Sequence, residues 1–320
     1  MKKNQWLALG ISALAGGLAA TAAVTVLDLL QRFAAGRQAP KLKMETVEKQ
    51  AIDAARETYA AELAAGAEWL EQTPHADISI ESFDGLKLRG HLYTCPGAKR
   101  TVLMMHGYRS SWKQDFSGAA REVYEMGCNL LLAEQRAHGE SEGKAIAYGV
   151  LERYDCADWL TEIVTRFGDL PIYADGISMG ATTVLMAAGL ALPEQVKGLI
   201  ADCGFTTPYE IIDRVLSRYS PIPSRLVLPE VEFYNKLKSG FGFHDYSTVD
   251  AMKENHIPVF FAHGDEDELV PLEMTIANYE ACAALKTLLI AHKAGHGMSW
   301  LVEHDRYKAA LQDFFKRCEA

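Results

Sequence analysis

Six short apolar runs recur along the chain: Thr101 to Met105, Cys128 to Ala133, Pro171 to Ala174, Val196 to Ala201, Pro258 to Ala262 and Thr287 to Ala291. Helix-forming stretches such as Val150 to Phe167, Ala181 to Leu192 and Leu301 to Lys316 separate them. A strand that is apolar on both faces must be covered on both faces, and helices between such strands supply the cover. The pattern therefore predicts a mostly parallel sheet with helices on each side. Two further strands precede this series. Ile78 to Phe83 and Leu86 to Tyr93 alternate polar and apolar residues about Asp84-Gly85, a hairpin signal, which brings the expected sheet to eight strands. The rhythm breaks once, between Cys203 and Pro258, and the segment of about 204–257 is expected to be a small cap over the C-terminal strand ends.

The main folded unit is expected over 74–320, with two segments before it. Lys2 and Lys3 are followed by an uncharged run from Trp6 to Leu27 that Asp28 ends. As a helix at ~1.5 Å per residue the run reaches about 33 Å, enough for a hydrocarbon core of ~30 Å. Residues 1–43 are accordingly expected to be a single-pass membrane anchor. Ala20-Thr21-Ala22 keeps open a cleaved signal and a secreted product, and a helix buried in the fold is the third alternative. Basic residues flank both sides (Arg32, Arg37, Lys41 and Lys43 beyond the run), so sidedness is undetermined. Residues 44–73 are Ala-rich and end at Thr73-Pro74, which predicts a helical spacer that packs on the next unit or binds a partner. A net charge of −10 excludes a polyanion partner, so no nucleic acid is expected. The six cysteines show no C-x-x-C pair and read as structural.

Chemistry concentrates where Pro171-Ile172-Tyr173-Ala174, a strand, passes into Ala181-Thr182-Thr183-Val184, a helix, through Gly176-Ile177-Ser178-Met179-Gly180. A strand-to-helix turn this sharp needs neighbours without Cβ, and it lifts the Ser178 hydroxyl above the sheet at a helix N-terminus. A serine needs a base to take its proton. Two downstream loops follow strands in the required order: His263-Gly264-Asp265-Glu266-Asp267, then His292-Lys293-Ala294-Gly295-His296. An earlier loop, His106-Gly107-Tyr108, lies where an oxyanion donor is needed; the N–H of Tyr108 and that of Met179 are the candidates.

With Arg136-Ala137-His138-Gly139-Glu140-Ser141 and Val270-Pro271 added in family order, the stretch from about Asp77 to Phe315 resembles the α/β-hydrolase superfamily. More narrowly, it resembles bacterial esterase-like hydrolases related to serine aminopeptidases, many of which carry an N-terminal membrane segment. The resemblance implies Ser178 as nucleophile, Asp267 as acid, His296 as base, and Tyr108 and Met179 as oxyanion donors. Asp202 is the rival acid, and His292 the rival base. His106, His138 and His263 read as loop braces, and no His-Glu-x-x-His or comparable pair suggests a metal. Glu134 and Ala137 replace the family's usual Asp and Gly, and Ile177 replaces a polar or aromatic residue. The expected activity is hydrolysis of carboxylic esters or related acyl compounds, small or lipid-like, without a cofactor. Peptidase, thioesterase and a catalytically silent, membrane-tethered interaction protein are the alternatives.

Overall fold

The computed structural model describes residues 24–37, 47–219 and 223–320. A helix over residues 24–35 (α1) comes first, followed by α2 (Val47–Thr58) and α3 (Ala60–Gln72). The sheet begins with β1 (Ala76–Glu81), β2 (Lys87–Tyr93) and β3 (Arg100–Met105). Then come α4 (Trp112–Phe116), α5 (Ala120–Glu125), β4 (Cys128–Glu134), α6 (Glu152–Phe167), β5 (Ile172–Ile177), α7 (Met179–Ala187) and β6 (Val196–Asp202). A long excursion carries α8 (Pro208–Tyr219), a 3-10 turn at Ser224–Leu226, α9 (Leu228–Ser239) and α10 (Thr248–Glu254). The chain closes with β7 (Val259–Gly264), α11 (Leu272–Ala281), β8 (Lys286–Ala291), α12 (Ser299–Val302) and α13 (His304–Cys318).

The eight strands form one sheet in the order β1-β2-β4-β3-β5-β6-β7-β8. The β1/β2 and β2/β4 pairs are antiparallel, and every later pair is parallel. Period-two alternation sends neighbouring residues of one strand to opposite layers. Val102, Met104, Leu130, Leu132 and Phe260 pack with Val123 of α5 and Leu311, Phe314 and Phe315 of α13. Leu103, Met105, Leu131, Ala133 and Phe261 pack with Trp159, Leu160 and Ile163 of α6 and Val184 and Leu185 of α7. This is the α/β-hydrolase fold, with its excursion between β6 and β7.

The expected N-terminal anchor is not upheld. Among the described residues no helix is long and apolar enough to cross a membrane. Most of the apolar run, residues 6–23, lies outside the described residues. Its last four residues open α1, and α1 belongs to the folded body. Leu27, Leu30 and Ala35 join a third apolar cluster with Phe205, Ile211, Ile212 and Val231. Its polar face is engaged as well: Gln31 Nε2 donates to Asn235 Oδ1 at 3.0 Å, and Lys238 Nζ and Tyr234 Oη donate to Asp28 Oδ1. Hydropathy summed along a window registers apolar content but not that one stripe of it faces α8 and α9. In α3, Leu63, Trp69 and Leu70 pack into the layer under α5.

Candidate active site

Ser178 occupies the turn between β5 and α7 at φ 57° and ψ −117°, a left-side conformation that costs a non-glycine residue about 1–3 kcal/mol. The turn is tight because backbones nearly touch. A Cβ on Gly176 would sit 2.2 Å from the Gly180 carbonyl carbon, and one on Gly180 would sit 1.8 Å from the Met105 oxygen. Ser178 N–H donates to the Asp202 carbonyl at 2.8 Å, which ties the elbow to β6. Its hydroxyl is left to face the loops above.

Those loops bring the downstream candidates to it. His296 Nε2 lies 2.9 Å from Ser178 Oγ, and His296 Nδ1 lies 2.7 Å from Asp267 Oδ2. Asp267 is held by its own loop, since Oδ1 accepts from the Leu269 and Val270 amides at 2.9 Å each. Burial acts to raise the Asp267 pKa, but His296 and the hydrogen bond from His263 outweigh it and hold the carboxyl well below the usual range. For His296 burial acts to lower the pKa, and the Asp267 charge reverses that and raises it well above the ordinary imidazole value. The Cys203 thiol is the third neighbour of this pair. Burial pushes it up to about 11, so at neutral pH it stays a thiol and not a thiolate nucleophile.

The rival residues lie elsewhere. Asp202 is buried and accepts from Ser299 Oγ at 2.8 Å, while His296 Nδ1 is already taken by Asp267. His292 is exposed and paired with Asp265 at 2.9 Å. The three brace histidines each hold a loop. His263 reaches Thr275 Oγ1 and the Val270 carbonyl. His106 Nδ1 donates to the Gly107 carbonyl, and its Nε2 accepts the Gln135 N–H. His138 Nδ1 donates to the Arg136 carbonyl, and its Nε2 accepts the Arg109 N–H at 3.0 Å, beside Tyr108. Burial lowers the His106 and His138 pKa values to about 4 and about 3, so both are neutral acceptors at pH 7. Asp115 completes the bracing of this loop by accepting from Gly107 N–H at 2.7 Å and Ser110 Oγ at 2.6 Å. The backbone N–H groups of Tyr108 and Met179 make no hydrogen bond among the described residues.

Above Ser178 opens a cavity of about 230 Å3, walled by Ile211, Ile212, Val215 and Leu216 of α8, Val231 of α9, and Leu30, Phe33 and Ala34 of α1. The contribution of α1 is the part that sequence reasoning missed. Its C-terminal end is clamped onto the loop after β3: Arg109 Nη2 donates to the Arg32, Phe33 and Gly36 carbonyls, and Tyr108 Oη and Tyr148 Oη both donate to the Ala34 carbonyl. A cation here complements the carbonyls at a helix C-terminus. The available signal was Leu27, Leu30 and Ala34 at helical spacing, interrupted by Asp28 and Gln31 on the other face.

Comparison with known proteins agrees with this fold. A family model described as Serine aminopeptidase, S33 matches residues 96–257, about half of the chain. The chain is similar to YqkD of Bacillus subtilis (strain 168), 28% identical over 77% of this chain and 81% of that one. It is also similar to human alpha/beta hydrolase domain-containing protein 17B, 24% identical over 72% and 73% of the two chains. Among solved structures, the Pyrococcus furiosus esterase Pf2001 superposes with a TM-score of 0.62 at 24% identity, covering 78% of this chain and 94% of the esterase.

Proposed function

The chain belongs to the serine aminopeptidase S33 family of the α/β-hydrolase superfamily and is a hydrolase, and from that premise we propose that it cleaves carboxylic esters through an acyl-enzyme on Ser178. The observation that carries this reading is the unbroken line from Ser178 Oγ through the His296 ring to Asp267, at 2.9 and 2.7 Å, on the floor of an apolar cavity. Ser178 Oγ attacks the carbonyl carbon while His296 Nε2 takes its proton. Asp267 holds the tautomer with hydrogen on Nδ1 and stabilises the imidazolium. The oxyanion of the tetrahedral intermediate takes the free N–H groups of Tyr108 and Met179, each worth about 2.7–4 kcal/mol by analogy with measured donors. His296 then protonates the departing alcohol. A water, deprotonated by the same ring, releases the acid.

The cavity favours an ester with an apolar acyl group over a peptide with a free N-terminus. An α-ammonium would need a carboxylate beside the scissile bond. None of the described residues lining the cavity is acidic, and its charged side chain is Arg109, a cation already spent on α1 carbonyls. The test is labelling by a fluorophosphonate and turnover of short-chain p-nitrophenyl esters, compared between the wild type and Ser178→Ala. Loss of both in the variant, with kcat down by about 10⁶-fold, is expected. An unlabelled, inactive wild type, or an active Ser178→Ala, refutes the mechanism.

A further inference from the structure

A second cluster of chemically active side chains sits at the opposite edge of the sheet, four strands or about 19 Å from β5. Asp77 and His91 face each other across the antiparallel β1/β2 pair, and His75 lies two residues before Asp77. His91 Nδ1 is 2.8 Å from Asp77 Oδ1, His75 Nε2 is 3.7 Å from the same oxygen, and the three atoms all lie within 4.8 Å of one another. The remaining ring nitrogens are both engaged by acceptors. His75 Nδ1 is 2.9 Å from the Thr73 carbonyl, and His91 Nε2 is 3.2 Å from Glu134 Oε1.

That arrangement has a definite consequence for the protons. A carbonyl only accepts, so His75 carries its hydrogen on Nδ1 and turns the Nε2 lone pair toward the Asp77 carboxylate. His91 stands between two carboxylates: its Nδ1–H donates to Asp77 at 2.8 Å, and carrying the hydrogen instead on Nε2, toward Glu134, would free the Nδ1 lone pair for a cation. The His75 lone pair and the Asp77 anion thus face one point, and a cation there would gain the His91 lone pair as well by displacing its Nδ1 proton. Ligand atoms bound tetrahedrally at ~2.0–2.1 Å are roughly 3.4 Å apart, and the separations of 2.8 and 3.7 Å bracket that value. Imidazoles whose far N–H groups go to a carboxylate and to a backbone carbonyl are also the usual outer support of metal-bound histidines. Ring packing fixes both planes: His91 stacks on Trp112 at 4.0 Å and His75 on Tyr93 at 4.7 Å.

We propose that His75 Nε2, Asp77 Oδ1 and His91 Nδ1 form a binding site for a divalent transition-metal ion of the zinc class. Two imidazoles with one carboxylate suit such an ion and not magnesium or calcium, which take oxygen ligands. The exposed Asp77 carboxylate leaves an approach from solvent and a fourth position for water. No single sequence motif announces the site, because His75, just before β1, and Asp77 of β1 are joined by His91 of β2 only through strand register. Bound metal would join the end of α3, β1 and β2, and so act on stability.

The test is zinc binding by the metal-stripped full chain, followed by calorimetry and thermal unfolding. One equivalent is expected, with a raised Tm that magnesium does not reproduce. His75→Gln and His91→Gln should each weaken binding at least about tenfold, and Glu134→Gln by about tenfold, as outer partners do. His75→Gln serves should His91→Gln fail to fold, since His75 lies outside the strands. X-ray absorption on the zinc-loaded wild type should show nitrogen and oxygen neighbours near ~2.0–2.1 Å. Absence of binding, binding indifferent to His75→Gln, or a sulfur neighbour at ~2.3 Å, which would point to Cys203 beside His296, overturns the proposal.

Discussion

Acyl-chain length is the variable that tests the proposed reaction most directly. An apolar cavity of about 150 Å3 holds the six carbons of benzene, so the cavity of about 230 Å3 over Ser178 holds roughly nine. Each methylene moved from water into it contributes about 0.8 kcal/mol, or about fourfold in kcat/KM when fully realised in the transition state. Six methylenes separate acetyl from octanoyl. The ceiling is therefore ~5 kcal/mol, about three thousandfold, and the partial opening of the cavity to solvent brings the expected gain to roughly 10²–10³. Beyond about nine carbons the gain should stop. The assay is kcat/KM over a series of p-nitrophenyl esters from acetate to palmitate. Val231→Trp supplies the perturbation, because Val231 is 3% exposed and its side chain lines the cavity. An indole there should cut the octanoate-to-acetate ratio by about 10²-fold. A flat series in the wild type, or a Val231→Trp protein that loses activity equally on every ester, would refute the reasoning.

Three further outcomes are expected. The His296 base must be neutral to act, and its pKa is raised well above 6.5 by Asp267; kcat/KM should fall as pH drops, with the midpoint of the acid limb above pH 6.5. In Asp267→Asn the main charge that raises the ring's pKa is gone while burial still lowers it, so the limb of any residual activity should move to lower pH. Asp267→Asn should lower kcat by about 10⁴-fold through loss of the correct tautomer, whereas Asp202→Asn, whose oxygen still accepts from Ser299, should stay within about tenfold; equal losses would reopen the identity of the acid. Arg109→Met removes a charged donor from three carbonyls at the end of α1, which should raise amide exchange across 24–35 by a local destabilisation of about 1.5–3 kcal/mol; unchanged exchange would contradict the clamp.

What was legible in the sequence follows from how local each signal is. The buried strands announced themselves because both faces are apolar within five or six residues, as in Cys128–Glu134, where every residue is buried. Gly176 and Gly180 could be read because the crowding they relieve lies within the same turn and the adjacent β3. Which carboxylate would meet His296 was less open to reading, since Asp202 and Asp267 follow neighbouring strands and only the seating of Ser299 and of the 269–270 amides separates them. The role of α1 was illegible for a different reason: its partners Asn235 and Lys238 are more than 200 residues away, and no periodicity within α1 names them. The meeting of His75, Asp77 and His91 depends on strand register in the same way.

Arg109 and Tyr108 are adjacent, and the loop whose amide is proposed to serve the reacting oxygen is the same loop that grips the end of α1. Enclosure and chemistry are thereby mechanically ganged. A guest too long for the chamber cannot lift the wall without dragging on the amide that must catch the developing charge, so oversized substrates would be turned away twice, once on entering and again on reacting.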